Sequence, residues 1–447
     1  MQLSRPRSLR AGFSWTLAGN LVYSASQWGM LTVIAKAGSP AMVGQFALAF
    51  AITAPVFMFA NLNLAAVQST DATGEYRFAD YYTLRLLTTA AALVLLIGVA
   101  VVGDYPTDTR LVILIVTVAK AAEATSDIFL GLFQRHERMD VFGTSLLIKG
   151  PSSLLAVAIA MYLSHRVVWS TVGLLVVWVS VLLLFDRPRA ARILAASERR
   201  LSHGSSGVVA DDGSRVRVAP ATLRQLTRLA LPMGFVAFAN SLIPSTPRYF
   251  VERHLGLAAL GVFAAMAYVY IAGQTVASAL ANSARPRLAA YFARGDRAAF
   301  TRLTVRLVCL GAAIGATAIV GALVAGRWIL TLLYAPEYAE HATVFTILMV
   351  AAAFSYVGYF LWNSATATRR FDSQVPLFAT AVAVTLAACA LLVPTLGLAG
   401  AALAVLASAL VQSVGSLLIL VRALRQSSTE KRRSELTWSE QRPSDGN

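Results

Sequence analysis

Charged side chains are scarce in this chain. Asp, Glu, Lys and Arg make up 13% of its 447 residues, about half of the roughly 25% usual in soluble proteins. Apolar residues reach 57%, and mean hydropathy is +0.64. A water-soluble globule of this length cannot cover so much apolar surface with so little charge. That excludes a soluble enzyme, a nucleic-acid-binding domain and a disordered protein. Cysteine is nearly missing too. Cys309 and Cys389 both lie in apolar runs and need not pair, so there is no disulfide scaffold. Also absent are a metal-ligand cluster, a nucleophile–base pair and a phosphate-cradling glycine loop, so no catalytic residue, metal or enzymatic activity is expected. Acidic residues are the scarcer sign, 22 against 38 basic, for a net charge of +16. The basic excess lies mostly between apolar segments, where it sets topology and meets lipid headgroups; no nucleic-acid partner is expected.

What is present is a series of spans. Twelve apolar runs are centred near residues 24, 54, 93, 122, 154, 177, 240, 270, 315, 354, 385 and 409. Each is long enough to cross a bilayer core, which takes about 20 residues. The first follows Arg5, Arg7 and Arg10. Asn20, Ser24 and Gln27 interrupt it, and it reads as a retained helix, not a cleaved leader. With the N-terminus inside, inward intervals hold 31 basic residues and outward ones 6, namely Lys36, Arg110, Arg166, Arg248, Arg253 and Arg327. This split predicts an even number of spans with both termini cytoplasmic.

The basic interval 187–225 divides the spans six and six. The predicted class is an all-α polytopic membrane protein with twelve transmembrane helices in two six-helix lobes around a central cavity. Residues 1–186 form the N-lobe, 187–225 a cytoplasmic linker, 226–421 the C-lobe and 422–447 a disordered tail. An offset of 217 places Val43-Gly44-Gln45-Phe46-Ala47 on Leu260-Gly261-Val262-Phe263-Ala264, Lys36 on Arg253, and Arg85-Leu86 on Arg302-Leu303. The identity is weak, so duplication and shared Ala/Leu-rich composition both account for it.

Ionisable groups inside a span need a reason, since each costs at least about 2.5–3.5 kcal/mol on insertion scales. In the fourth span Lys120, Glu123, Asp127, Gly131 and Gln134 fall within an arc of about 80° and a length of about 21 Å. Either Lys120 and Glu123 neutralise each other and hold the helix against a polar neighbour, or the stripe walls a hydrated cavity with Glu123 or Asp127 as a titrating group. Pro232, Gly234, Pro244 and Pro247 interrupt the seventh span, which carries Asn240 near its centre and Arg248, Glu252 and Arg253 at its outer end. Arg248 either pairs with Glu252 at i+4 or faces the pathway. Arg285 ends a span bearing Gln274, Ser278 and Asn282.

The chain resembles the multidrug/oligosaccharidyl-lipid/polysaccharide (MOP) flippase superfamily, in its polysaccharide-transporter branch. The six-plus-six layout, Val43-Gly44-Gln45-Phe46-Ala47, the Lys120…Glu123…Asp127…Gly131…Gln134-Arg135 pattern and Leu396-Gly397-Leu398-Ala399-Gly400-Ala401-Ala402 carry the resemblance across essentially the whole chain. It implies flipping of a polyprenyl-diphosphate-linked oligosaccharide from the inner to the outer leaflet of a bacterial inner membrane. Expected partners are then that lipid-linked oligosaccharide, membrane lipids and other polysaccharide-assembly proteins, with no cofactor beyond a coupling H+ or Na+. Lys120, Arg248, Arg285, Lys36 and Arg253 become diphosphate contacts, Asn20, Gln27 and Asn240 sugar contacts, and Glu123 and Asp127 coupling groups. A cation-coupled drug or metabolite exporter of the same superfamily is the alternative. A glycan polymerase or ligase fits less well, because the longest outward interval, 326–342, offers only Arg327, Glu337, Glu340 and His341.

Overall fold

The computed structural model describes residues 9–71, 75–204, 219–368 and 374–440. All regular structure among them is helical: α1 (Leu9–Ala37), α2 (Pro40–Ala60), α3 (Leu64–Thr70), α4 (Phe78–Val102), α5 (Thr107–Arg135), α6 (Met139–Ser164), α7 (Val167–Val181), α8 (Arg187–Gly204), α9 (Pro220–Ala293), α10 (Arg297–Leu333), α11 (Ala342–Ala367), α12 (Gln374–Leu396) and α13 (Leu398–Glu440). A π-helical turn, Leu182–Asp186, joins α7 to α8, and a 3-10 turn, Pro336–His341, leads into α11. Arg5, Arg7, Arg369 and Arg370 lie outside the described residues, as do 205–218 of the basic linker and 441–447 of the tail.

Nine of the described helical segments are long and apolar enough to cross a membrane. Two more, α1 and α5, are 29 residues each but carry the polar groups noted above. Every sequence-predicted centre falls in a helix. Two of them, 240 and 270, share the 74-residue α9, which departs from helical geometry at Gly256 with φ 81° and ψ 179°. Left-handed φ with extended ψ is a conformation glycine alone adopts readily. Gly256 corresponds, at the offset of 217, to Ser39. Ser39 is the extended N-cap of α2 and accepts the Met42 amide, with Pro40 at the first helical position. The chain therefore breaks at matched places, once with a capped proline start and once with a glycine.

The matched motifs also touch. A Cβ on Gly44 would lie 1.9 Å from the Leu257 carbonyl oxygen, and one on Gly261 would lie 1.8 Å from that of Pro40. Backbone packs directly on backbone here, the close approach that small residues permit between membrane helices. Phe46 and Phe263, also equivalent, are both buried. The repeat does not extend to charge: Arg85 is 0% exposed, whereas Arg302 is open.

Two compact units result, Met1–Tyr268 with Leu330–Tyr338 and Val269–Ile329 with Ala339–Asn447. In the first, α1 packs on α6, while α5 packs on α2, α4 and α7. One apolar cluster joins Leu62, Leu64, Tyr81 and Ile128 to Leu226 and Ala230. In the second, α13 packs on α11 and α12, and Leu288, Phe300, Leu361 and Leu420 form the core. There the Tyr270 and Ser355 hydroxyls are 2.6 Å apart, and the Tyr356 hydroxyl donates to the Tyr270 carbonyl at 3.0 Å.

One part of the topology count needs correction. Arg85 and Lys149, assigned to inward loops from sequence, lie inside α4 and α6 and are 0% and 2% exposed. Removing them leaves a lopsided split, and they join the interior charges instead.

The Gly44–Gly261 contact yields a test. Gly44→Ala or Gly261→Ala forces two helix backbones apart, at a cost of about 1–3 kcal/mol of overpacking strain. Gly98, with nothing within 4 Å of a built Cβ, is the control, and Gly98→Ala should be neutral or slightly stabilising. Thermal unfolding in detergent measures all three. Unchanged stability of both motif variants would show that the backbones separate freely.

Candidate functional site

The fourth-span stripe becomes the wall of a cavity of about 200 Å³ inside the first unit, lined by Tyr23, Asn61, Lys120, Glu123, Asp127 and Lys149 among others. α5 is continuous through this stretch, so Lys120, Glu123 and Asp127 share one face. Gly131, further along the stripe, does not line the cavity. A Cβ there would meet Ala65 and Gln68 of α3 at 2.8 Å, so its role is close helix contact.

Each carboxylate has its own cation. Lys120 Nζ donates to Glu123 Oε2 at 2.6 Å, and the Tyr23 hydroxyl donates to Glu123 Oε1 at 2.7 Å. The same ammonium lies 5.1 Å from the Phe50 ring centroid and 5.5 Å from that of Trp178. Asp127 Oδ2 accepts from Arg85 at 3.0 Å, and Arg85 also donates to Asn61 Oδ1. Asn61 closes α2 just before Leu62 and Asn63, whose φ values are 48° and 51°. A left-handed Leu is strained, and its burial in the apolar cluster is what holds the turn that presents Asn61. Glu123 and Asp127, one helical turn apart, are thus each held by a separate ion pair.

A third pair lies deeper. Lys149 Nζ donates to Ser126 Oγ at 2.6 Å and stands 4.0 Å from Asp186 Oδ2. Ser145 donates to Asp186 Oδ1 at 2.7 Å, and Ser126 bonds its other oxygen. Asp186 sits in the π-helical turn, an irregularity often found at functional sites. Outside the spans, the Asp71 carboxyl stands just before the first residue of the loop to α4. Burial pushes it up, but the Tyr76 and Glu75 amides and Arg135 more than offset this and hold it below the usual carboxylate range.

The remaining sequence-predicted residues stand elsewhere. Arg248 is 9% exposed, with its guanidinium 5.9 Å from the Tyr268 ring centroid and Nε without a hydrogen-bond partner. Its alternative pairing with Glu252 is not found among the described residues. In the second unit Arg285 Nε donates to Asn363 Oδ1 at 3.0 Å and its Nη2 to Asn282 Oδ1 at 3.0 Å. Lys36, Asn20, Asn240 and Arg253 are exposed and Gln27 is half-buried; Asn20 donates to the Thr16 carbonyl at 2.8 Å. Sequence reading missed Arg85, Lys149, Asp186 and Asn61 as site residues. The signal for Lys149 was its place in the apolar run Leu146-Leu147-Ile148, and for Asp186 its place at the end of Leu182-Leu183-Leu184-Phe185.

Exposure within the Arg85–Asp127 pair is unequal. Arg85 is 0% exposed and Asp127 keeps 41% of its side-chain surface open. Asp127→Ala strands a fully buried guanidinium and should destabilise by about 3–5 kcal/mol. Arg85→Met leaves a carboxylate that cavity water can solvate, so a smaller loss is expected. Thermal unfolding of the two variants decides it; a larger loss from Arg85→Met would overturn this reading of the pair.

No family model matches the chain. The capsular polysaccharide biosynthesis protein CapF of Staphylococcus aureus is 26% identical over 394 residues, which cover 88% of this chain and 94% of that protein. Among solved structures, lipid II flippase MurJ in an inward closed conformation aligns with a TM-score of 0.67 at 10% identity, covering 96% of this chain and 94% of that one. A multidrug-resistance MATE transporter of the MOP superfamily, inward-facing, aligns with a TM-score of 0.64 at 13% identity over 97% of both chains. A MOP superfamily transporter from Pyrococcus furiosus gives 0.63 at 12% identity, covering 94% of this chain and 95% of that one. The chain shares the fold of these solved MOP superfamily structures, the fold that the sequence resemblance implied.

Proposed function

We propose that this chain is a bacterial inner-membrane flippase moving a polyprenyl-diphosphate-linked oligosaccharide from the inner to the outer leaflet by alternating access. The observation that carries the reading is similarity to a capsular polysaccharide biosynthesis protein along 88% of the chain, in a molecule with this fold. Twelve spans with both termini cytoplasmic are part of the proposal, supported by the basic split.

The interior charges divide by partner. Lys120, Arg85 and Lys149 each face a carboxylate, so this cluster is electrically balanced. Balanced pairs beside a cavity suit coupling, because protonating Glu123 or Asp127, or placing Na+ between them, releases a cation and changes which contacts hold α5. Arg248 and Arg285 have no carboxylate partner among the described residues, so each is free to meet a diphosphate, Arg248 through its planar fork. Lys120 joins that path only when Glu123 releases it. A cation-coupled exporter of small molecules remains the second reading, favoured by the balance of the cavity charges; it has no use for Arg248.

Two measurements follow. Export of the lipid-linked glycan, with protein level checked in parallel, should be partly impaired by Arg248→Lys and more severely by Lys120→Ala, which also strands Glu123. Normal export by well-folded alanine variants of Lys120, Arg248 and Arg285 would remove the cationic path. If Glu123→Gln and Asp127→Asn both leave the pH and ion dependence of export unchanged, the carboxylates are structural. For topology, single cysteines at Asp104 and Glu337, in a chain with Cys309 and Cys389 replaced, should label from outside and one at Ser205 only from inside. Outside labelling of position 205 would sink the orientation.

A further inference from the structure

α8 is held to the first unit by its apolar side. Ala190 and Ile193 pack with Phe129, Leu132, Phe133, Val141 and Phe142, where α5 ends and α6 begins. The basic count assigns this end of the unit to the cytoplasm. Arg187, Arg189 and Arg192 are all exposed on the rest of the helix circumference. The Arg189 guanidinium lies 4.7 Å from the ring centroid of Phe185 in the π-helical turn. That contact keeps its charge at the level where the spanning segment ends. Asp186, the one acidic neighbour in this turn, points inward to Ser126, Ser145 and Lys149 and is 0% exposed. It therefore does not neutralise the outer face. Among the described residues none of the three arginines pairs with a carboxylate.

An apolar-docked helix at the end of a span, with unneutralised guanidiniums turned outward, matches the chemistry of an anionic lipid surface. We propose that Arg187, Arg189 and Arg192 form a binding face for anionic phospholipid headgroups. Occupancy is transmitted inward, because the turn preceding these arginines carries Asp186, which Ser126 links to Lys149 on the cavity wall. The lipid acts as a brace on the deepest ion pair of the unit. This face makes no demand on the identity of the transported molecule, so its test is independent of the flippase reading.

The test compares the full chain in nanodiscs of phosphatidylcholine with and without phosphatidylglycerol. Phosphatidylglycerol is expected to raise the thermal midpoint in proportion to its fraction, with the shift shrinking as salt rises. Inorganic phosphate added to phosphatidylcholine discs should give no shift, which separates a lipid headgroup from free phosphate. The variant Arg187→Gln/Arg189→Gln/Arg192→Gln should match the parent in pure phosphatidylcholine and bind phosphatidylglycerol roughly fivefold more weakly per arginine removed. The triple lysine variant should retain most of the preference, since point charge suffices for headgroup attraction. Should the triple glutamine variant fold poorly, Arg192→Gln alone, which leaves the Phe185 stack intact, is expected to lose roughly fivefold. The proposal is overturned if phosphatidylglycerol gives the parent no shift, if inorganic phosphate reproduces the shift, or if the glutamine variants keep the full preference.

Discussion

Charge pairing inside a low-dielectric helical unit is the constraint on which the rest of this molecule depends. An isolated ion removed from water costs several kcal/mol even after relaxation, and around its cavity the first unit holds three cations and three carboxylates. It meets the cost by distributing them: Lys120 with Glu123, Arg85 with Asp127, and Lys149 with Asp186. Hydroxyls and amides of Tyr23, Asn61, Ser126 and Ser145 take up remaining bonding capacity. α1, α4, α5 and α6, the end of α2 and the π-helical turn must keep their register for these bonds to survive together, so the polar cluster specifies one packing of an apolar unit whose leucines and alanines would tolerate several.

The second unit shows what happens without that constraint. None of its charged residues up to Arg425 whose side chains are described is buried. Its interior polar contacts are neutral, such as Tyr270 with Ser355 and Thr304 with Ser364, and Arg285 is held by amides alone. The crossing glycines Gly44 and Gly261 both lie in the first unit as well, so the second has neither that motif nor an electrostatic interior. The paired carboxylates Glu123 and Asp127 thus lie in the first unit, while Arg248 of the first unit and Arg285 of the second have no carboxylate partner among the described residues.

Asp127 and Glu123 face the cavity and keep part of their surface open, whereas Asp186 and Lys149 are closed to solvent. The first two pairs therefore border the cavity, and the third does not open to solvent. The third pair is joined to the π-helical turn that leads out to α8.

The sequence by itself determined the material and the period. Each of the twelve apolar runs of spanning length is centred in a helix, because bilayer thickness sets run length directly, whereas the short α3 and the basic α8 left no such run. The 3.6-residue repeat put Lys120, Glu123 and Asp127 on one face, and the offset of 217 matched two glycines that pack against each other. Tertiary structure alone decided which charges meet. Arg85, the eighth residue of α4, and Lys149, the eleventh of α6, read from linear position as loop signals, and only the packing of α4 and α6 against α5 carries them inward. Asp186 ends an apolar run just as a membrane-boundary residue does, and the π-helical turn rotates it toward Ser126 and Ser145. Pairing between residues 42 and 37 positions apart leaves no local trace, because the energy that selects it comes from the shared loss of water and not from the spacing of residues along the chain.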